Sequence, residues 1–168
     1  MKQKTVIFGF LLALSLILSY VESLLPLAIG IPGIKLGLPN LVVVLLLYLY
    51  GGREAFAVNL LRILLSGFLF GNLSAILYAF TGAACSFIVM FLLKKTGRFS
   101  MMGVSIGGGV FHNIGQTITA VFVVETFAPA FYLPFLLTAG AVTGFLIGLT
   151  GSHVLPLLNK IPKNGGTI

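Results

Sequence analysis

The chain has 168 residues, of which 58% are hydrophobic and 8% are charged, whereas an ordinary soluble domain carries about 25% charged residues. A water-soluble domain of this length could not cover so much apolar surface with polar groups, so the composition excludes that class and indicates a membrane protein. The formal net charge is +7, but the basic residues lie at the ends of apolar runs, which is typical of membrane proteins rather than of nucleic-acid-binding proteins.

Six apolar runs predict six transmembrane helices. The first, at about residues 5–21, follows two lysines and is interpreted as an uncleaved helix rather than a removed signal peptide. The second, at about 38–50, is short for the ~20 residues that a perpendicular span needs, which predicts a shortened or tilted helix. The other predicted spans are about 55–70, 73–93, 101–126 and 134–158.

The basic residues predict the orientation of these helices. An even number of spans places both termini on one side, and eight of the ten basic residues fall on that side, with only Lys35 on the other and Arg62 within a span. By the positive-inside rule, we expect a multi-pass protein of the cytoplasmic membrane with both termini in the cytoplasm. The eight residues are Lys2, Lys4, Arg53, Lys94, Lys95, Arg98, Lys160 and Lys163.

The few acidic residues argue against an enzyme that holds a diphosphate on magnesium. Asp is absent, and the three carboxylate side chains are Glu22, Glu54 and Glu125, whereas such chemistry needs clustered carboxylates. The single cysteine, Cys85, has no intrachain partner for a disulfide. We therefore expect no enzymatic activity, no metal site and no cofactor.

Arg62 is the first candidate site residue, because a cation in the middle of a span costs roughly 2.5 to 3.5 kcal/mol and must face protein or water. Asn59 and Ser66 lie on the same helical face as Arg62, at spacings of three and four residues. One interpretation is a binding site. The other is a structural role, with Arg62 paired to Glu22, Glu125 or helix-end carbonyls.

The fifth span contributes a second polar group. His112, Asn113 and Gln116 share one helical face, and no further metal ligand lies at the spacing that a metal site requires. These side chains either form hydrogen bonds between helices or, together with Arg62, line a pocket that carries one positive charge. Such a pocket favours a small-molecule ligand with an anionic or strongly accepting group.

Small residues at four-residue spacing predict close helix packing on several spans. Gly9 and Ala13 lie near the predicted cytoplasmic end of the first span, where a membrane partner could dock. The other residues with this spacing are predicted to pack internally. They are Ala75, Ala79, Ala83, Gly103, Gly107, Gly140, Gly144 and Gly148.

Two motifs carry a family resemblance: P-G-I-K-L-G-L-P-N at residues 32–40 and H-N-I-G-Q at 112–116. Together with Glu22 and Arg62, they resemble the Gx transporter family. Members of that family are often labelled heptaprenyl diphosphate synthase component I, and they are similar to the substrate-binding S components of energy-coupling-factor transporters. The resemblance covers roughly residues 4–158.

The resemblance implies an all-α, six-helix S-component-like bundle in the lipid membrane, with a segment after the first helix that caps a pocket opening to the outside. The matching cap residues are Pro32, Gly33, Lys35 and Leu36. The family also implies that small residues on the first helix, often A-x-x-x-A, contact a transmembrane coupling subunit that works with cytoplasmic ATPases. Here those positions are Gly9 and Ala13.

Three functions remain open at this point. The chain is expected to be a solute-binding membrane subunit of a transporter. Alternatively, it is a non-catalytic membrane subunit associated with heptaprenyl diphosphate synthase or with quinone and isoprenoid metabolism. A structural subunit of a membrane redox complex is the third, and no sequence feature indicates a bound redox centre.

Overall fold

The computed structural model describes residues 2–24 and 37–160, with side chains from residue 5 onward. Within these ranges the chain forms six α-helices and one short 3₁₀ helix, and it contains no β-strand, which confirms the all-α class. The α-helices are α1 (Lys2–Leu24), α2 (Leu38–Leu49), α3 (Gly52–Phe70), α4 (Leu73–Thr96), α5 (Met101–Val124) and α6 (Leu133–Asn159). The 3₁₀ helix, Ala128–Tyr132, lies between α5 and α6.

Short polar caps set the boundaries of the central helices. The side chain of Asn72 accepts a hydrogen bond of 2.7 Å from the backbone N–H of Ala75 and so begins α4. At its other end, Gly97 adopts a left-handed conformation with φ of 67°, which a glycine tolerates without strain. These caps allow α3, α4 and α5 to follow one another through turns of only a few residues.

The helices expose the apolar surface that a membrane requires. Among the described residues, three helical segments are long and apolar enough to cross a bilayer: Thr5–Leu24, Leu73–Thr96 and Ala128–Asn159. Large side chains are exposed on several helices, including Phe122 at 78% and Phe68 at 77%. Because so large an apolar surface is unfavourable in water, the protein is associated with a membrane.

Successive helices run in opposite directions, which creates two distinct ends of the bundle. The aromatic rings of Phe8 and Tyr50 meet at 5.0 Å near one end, and those of Tyr20 and Phe70 meet at 5.5 Å near the other. The first end, here called the basic end, holds Arg53, Lys94, Lys95, Arg98 and Lys160. The opposite end, here called the cavity end, is where α1 and α3 finish and where α2 and α4 begin.

Helix α2 is enclosed by protein along most of its length. Residues 42–47 are each at most 4% exposed, and the helix contacts α1, α3 and α6. At its carboxyl end, Nζ of Lys94 donates a hydrogen bond to the carbonyl oxygen of Leu47. The second run, predicted as a shortened or tilted helix, is therefore a short central helix enclosed by protein, since a helix that is apolar on all sides suits a protein interior.

Glycines bring α5 and α6 into backbone contact. A Cβ atom added to Gly144 would lie 2.6 Å from the carbonyl oxygen of Ser105, and one added to Gly148 would lie 2.6 Å from Cα of Met102. The predicted packing role of the small residues on α6 is thus confirmed. Ala75 and Ala79 on α4 line a cavity inside the bundle, as does Gly144.

Candidate solute-binding cavity

A cavity of about 220 Å³ lies towards the cavity end of the bundle, and residues from all six α-helices line it. We call it the solute cavity. Its walls alternate between small or aliphatic side chains and polar groups. The polar and charged residues that line it are Ser19, Glu22, Ser23, Asn40, Arg62, Ser66, Ser86, Ser105, His112, Asn113, Gln116 and Thr143.

The guanidinium of Arg62 lies in the wall of the solute cavity and is held by neutral partners. Its Nη2 and Nε atoms donate to Oδ1 of Asn59 at 2.8 Å and 3.1 Å, and its Nη1 atom donates to Oγ of Ser19 at 3.3 Å. These bonds use three of the five N–H groups of an arginine. Since neither partner is charged, they fix the position of the guanidinium without neutralising it.

Glu22 is the acidic residue that acts electrostatically on Arg62. One oxygen of its carboxylate also accepts a hydrogen bond from the backbone N–H of Gly37, at the start of α2. A carboxylate in this position is favoured by the positive end of the helix dipole. The contact joins the end of α1 to the beginning of α2 at the cavity end.

Helix α4 makes room for the polar face of α5. A Cβ atom added to Gly82 would lie 2.8 Å from Cγ of Gln116 and 2.9 Å from Cε1 of His112, so both side chains pass over this glycine. Asn113 lies closer to α6, where its Nδ2 atom donates a 2.5 Å hydrogen bond to the carbonyl oxygen of Leu136. The α5 face therefore combines cavity-lining groups with one bond that joins two helices.

The structure brings most of the predicted site residues together. Arg62, Ser66, His112, Asn113 and Gln116, which come from two helices far apart in sequence, all line the solute cavity. Asn59 lies outside the set of lining residues and instead positions Arg62. Whether these residues bind a ligand remains a prediction. Glu125, offered as a possible partner of Arg62, is exposed at the end of α5.

The predicted cap residues and the predicted docking residues of α1 have different outcomes. The cap residues Pro32, Gly33, Lys35 and Leu36 lie outside the described residues. Gly9 and Ala13 are both exposed on α1, and a Cβ atom added to Gly9 would meet no atom within 4 Å. Within the described part of the chain, no three His, Cys, Asp or Glu side chains are grouped so that they could hold a metal ion.

Several polar residues of the solute cavity were not predicted to line it. Ser19 and Ser23 lie on the same side of α1 as the buried Ser15 and as Glu22, which the sequence had suggested only as a partner of Arg62. Their spacing of four, three and one residues was a readable signal for a polar stripe in an apolar helix. Ser86 and Ser105 are isolated in their helices, so their sequence context offers no comparable pattern.

The solute cavity lies within a region that matches a known family. A sequence model of the family described as heptaprenyl diphosphate synthase component I matches residues 11–154. The chain belongs to this family. Comparison with curated proteins and with solved structures gives no match. The part matched to heptaprenyl diphosphate synthase component I contains every residue that lines the solute cavity, whereas Gly9 precedes it.

Proposed function

We propose that this chain is a membrane-embedded solute-binding subunit of a transporter, similar in role to an S component of an energy-coupling-factor transporter. It captures a small molecule from outside and passes it inward with separate coupling and ATPase subunits. The observation that carries this proposal is the solute cavity, in which Arg62 and the polar face of α5 meet inside an apolar bundle.

The chemistry of Arg62 supports an anionic ligand. The side chain is only 8% exposed, and its hydrogen-bond partners in the described residues are a neutral amide and a neutral hydroxyl. A buried cation of this kind is costly unless it is paired. Glu22 lines the same cavity and supplies one counter-charge, and the guanidinium N–H groups that are not bonded to Asn59 or Ser19 can donate to a ligand carboxylate or phosphate.

The direct test of this function is to identify the ligand. The protein is extracted in a mild detergent, and small molecules that co-purify are identified by mass spectrometry after denaturation. A stoichiometric anionic compound supports the proposal. A fully occupied preparation that carries only a neutral or cationic compound contradicts it.

We also propose that all six helices span the membrane region, with the basic end in the cytoplasm. Single cysteines are introduced at Thr96, at the basic end, and at Phe127, which is 76% exposed at the opposite end, in a variant that lacks Cys85. A membrane-impermeant maleimide applied to intact cells is expected to label position 127 and not position 96. The reverse pattern would contradict the orientation.

The exposed small residues of α1 support a docking face for the coupling subunit. Ala13→Trp is expected to abolish co-purification of this subunit and its ATPases, because a bulky side chain prevents close helix approach. Binding of the ligand should be unchanged. Ala57→Trp, a matched change at an exposed position of α3, serves as the control, and equal co-purification of both variants would assign Gly9 and Ala13 no role in docking.

The description of the family favours a second candidate function. In this alternative, the chain is a non-catalytic membrane subunit that associates with a heptaprenyl diphosphate synthase. An arginine in the solute cavity would also suit a diphosphate group. The same co-purification separates the two candidates, because a transporter subunit brings down ATPases whereas the alternative brings down a prenyl diphosphate synthase.

A further inference from the structure

A second cavity of about 180 Å³ lies between α1, α2 and α6. We call it the α1–α6 crevice. Five of its seven lining residues are aliphatic, and none is charged. They are Leu18 of α1, Leu38 and Leu41 of α2, and Thr143, Leu146, Ile147 and Thr150 of α6.

The polar groups of the α1–α6 crevice are already bonded within their own helix. The hydroxyl of Thr143 donates to the carbonyl oxygen of Gly140 at 3.3 Å, and that of Thr150 donates to the carbonyl oxygen of Leu146 at 2.8 Å. Neither threonine therefore requires a polar ligand. The crevice suits a hydrocarbon chain, which gains from apolar contacts and offers no hydrogen bonds.

The α1–α6 crevice and the solute cavity adjoin each other. Thr143 and Ile147 line both, so the polar cavity and the apolar one meet along the same stretch of α6. On the outer side, Leu146 is 52% exposed and Ile17 on the neighbouring α1 is 58% exposed. The crevice therefore borders the apolar surface that faces lipid.

We propose that the ligand is an amphiphile, with an anionic head at Arg62 in the solute cavity and an apolar chain in the α1–α6 crevice. This inference rests on the proposed function, because it names the ligand class of the same site. The guanidinium of Arg62 and the side-chain amides of the solute cavity can donate hydrogen bonds to an anionic head. The aliphatic side chains of the crevice match the chain, because they offer apolar contacts and no charged group.

The inference is tested with two probes that share a head and differ in chain length. Octyl phosphate and butyl phosphate are radiolabelled, and their equilibrium binding is measured on the full chain in phosphatidylcholine nanodiscs. Empty nanodiscs correct for partition of the chain into lipid. Octyltrimethylammonium, which carries the same chain on a cationic head, is expected not to compete.

The decisive variant is Leu146→Trp, which narrows the α1–α6 crevice from an exposed position. This variant is expected to weaken the binding of octyl phosphate by at least about tenfold, because about two methylene groups of its chain would lose their buried contacts. The affinity for butyl phosphate should stay nearly unchanged. Leu92→Trp on α4, where the native leucine is 54% exposed and lines neither cavity, is the matched control. Leu18→Phe narrows the opposite wall and repeats the test independently.

The possible results separate the inference from the proposed function. If Leu146→Trp and Leu18→Phe bind octyl phosphate normally, or if both probes lose affinity equally, the crevice does not hold the chain and the inference is overturned. Butyl phosphate binding that depends on Arg62 would then still support the proposed function. Binding of neither probe overturns the inference, and binding of both without dependence on Arg62 contradicts the proposed function as well.

Discussion

Replacing Arg62 by glutamine is expected to weaken binding of an anionic ligand by about tenfold or more. Glutamine keeps an amide NH2 donor group but removes the charge, and a hydrogen bond to a charged group contributes about 1.5 to 3 kcal/mol. Since each 1.4 kcal/mol corresponds to about a factor of ten in affinity, the loss is readily measured. The measurement is retention of the co-purified ligand, or equilibrium binding of butyl phosphate in nanodiscs.

Arg62 also joins α3 to α1 through Ser19, so stability must be followed in the same variant. Arg62→Gln should remain monodisperse in detergent, because Gln keeps a polar group next to Asn59 and Ser19. Gln116→Ala is the comparison within the solute cavity. Its loss of binding free energy should be smaller, near the 0.5 to 1.5 kcal/mol of an ordinary neutral hydrogen bond. If Arg62→Gln binds the ligand normally and only its thermal stability falls, the arginine has a structural role in the bundle and does not bind a ligand.

Gly144→Ala is expected to destabilise the bundle strongly. The added Cβ would lie 2.6 Å from the carbonyl oxygen of Ser105 and 2.8 Å from Cα of Ile106. Both are backbone atoms, which cannot rotate away, so α5 and α6 must separate. Overpacking typically costs about 1 to 3 kcal/mol, and for a chain of this size that lowers Tm by roughly 2 to 4 °C per kcal/mol.

The matched control for this variant is Gly9→Ala on α1. The same methyl group meets no atom within 4 Å there, and alanine favours a helix over glycine by about 1 kcal/mol. Thermal unfolding in detergent, followed by circular dichroism, should show an unchanged or higher Tm for Gly9→Ala and a clearly lower Tm for Gly144→Ala. Equal unfolding curves would mean that α5 and α6 do not approach each other this closely.

The sequence predicted the helices well because a helix surrounded by lipid and a helix surrounded by protein both need apolar side chains. The run at residues 134–158 became α6, Leu133–Asn159, and the run at 73–93 became α4, Leu73–Thr96. The run at 38–50 was predicted to form a shortened or tilted helix and became the short α2, Leu38–Leu49, but its enclosure by protein was not predicted. Lipid tails are as apolar as leucine side chains, so an apolar run does not reveal which of the two surrounds it.

The candidate site could be predicted only where one helix carries several polar groups. Helical spacing placed His112 and Gln116 on one face, and the structure has both in the solute cavity. Asn40 reaches the same cavity from a helix that offers no second polar neighbour. Single residues of this kind come together through the crossing of helices, which spacing along one helix does not specify.

The burial of α2 constrains how this protein is made. Its 12 residues extend about 18 Å at 1.5 Å per residue, which is shorter than the ~30 Å hydrocarbon core, so α2 depends on the helices around it to be held within the membrane. Leu155 and Leu158, which pack against the core that contains α2, are synthesised more than 100 residues later. The enclosure of α2 is therefore completed only when the last helix has been made, and a chain truncated within α6 would leave part of α2 uncovered.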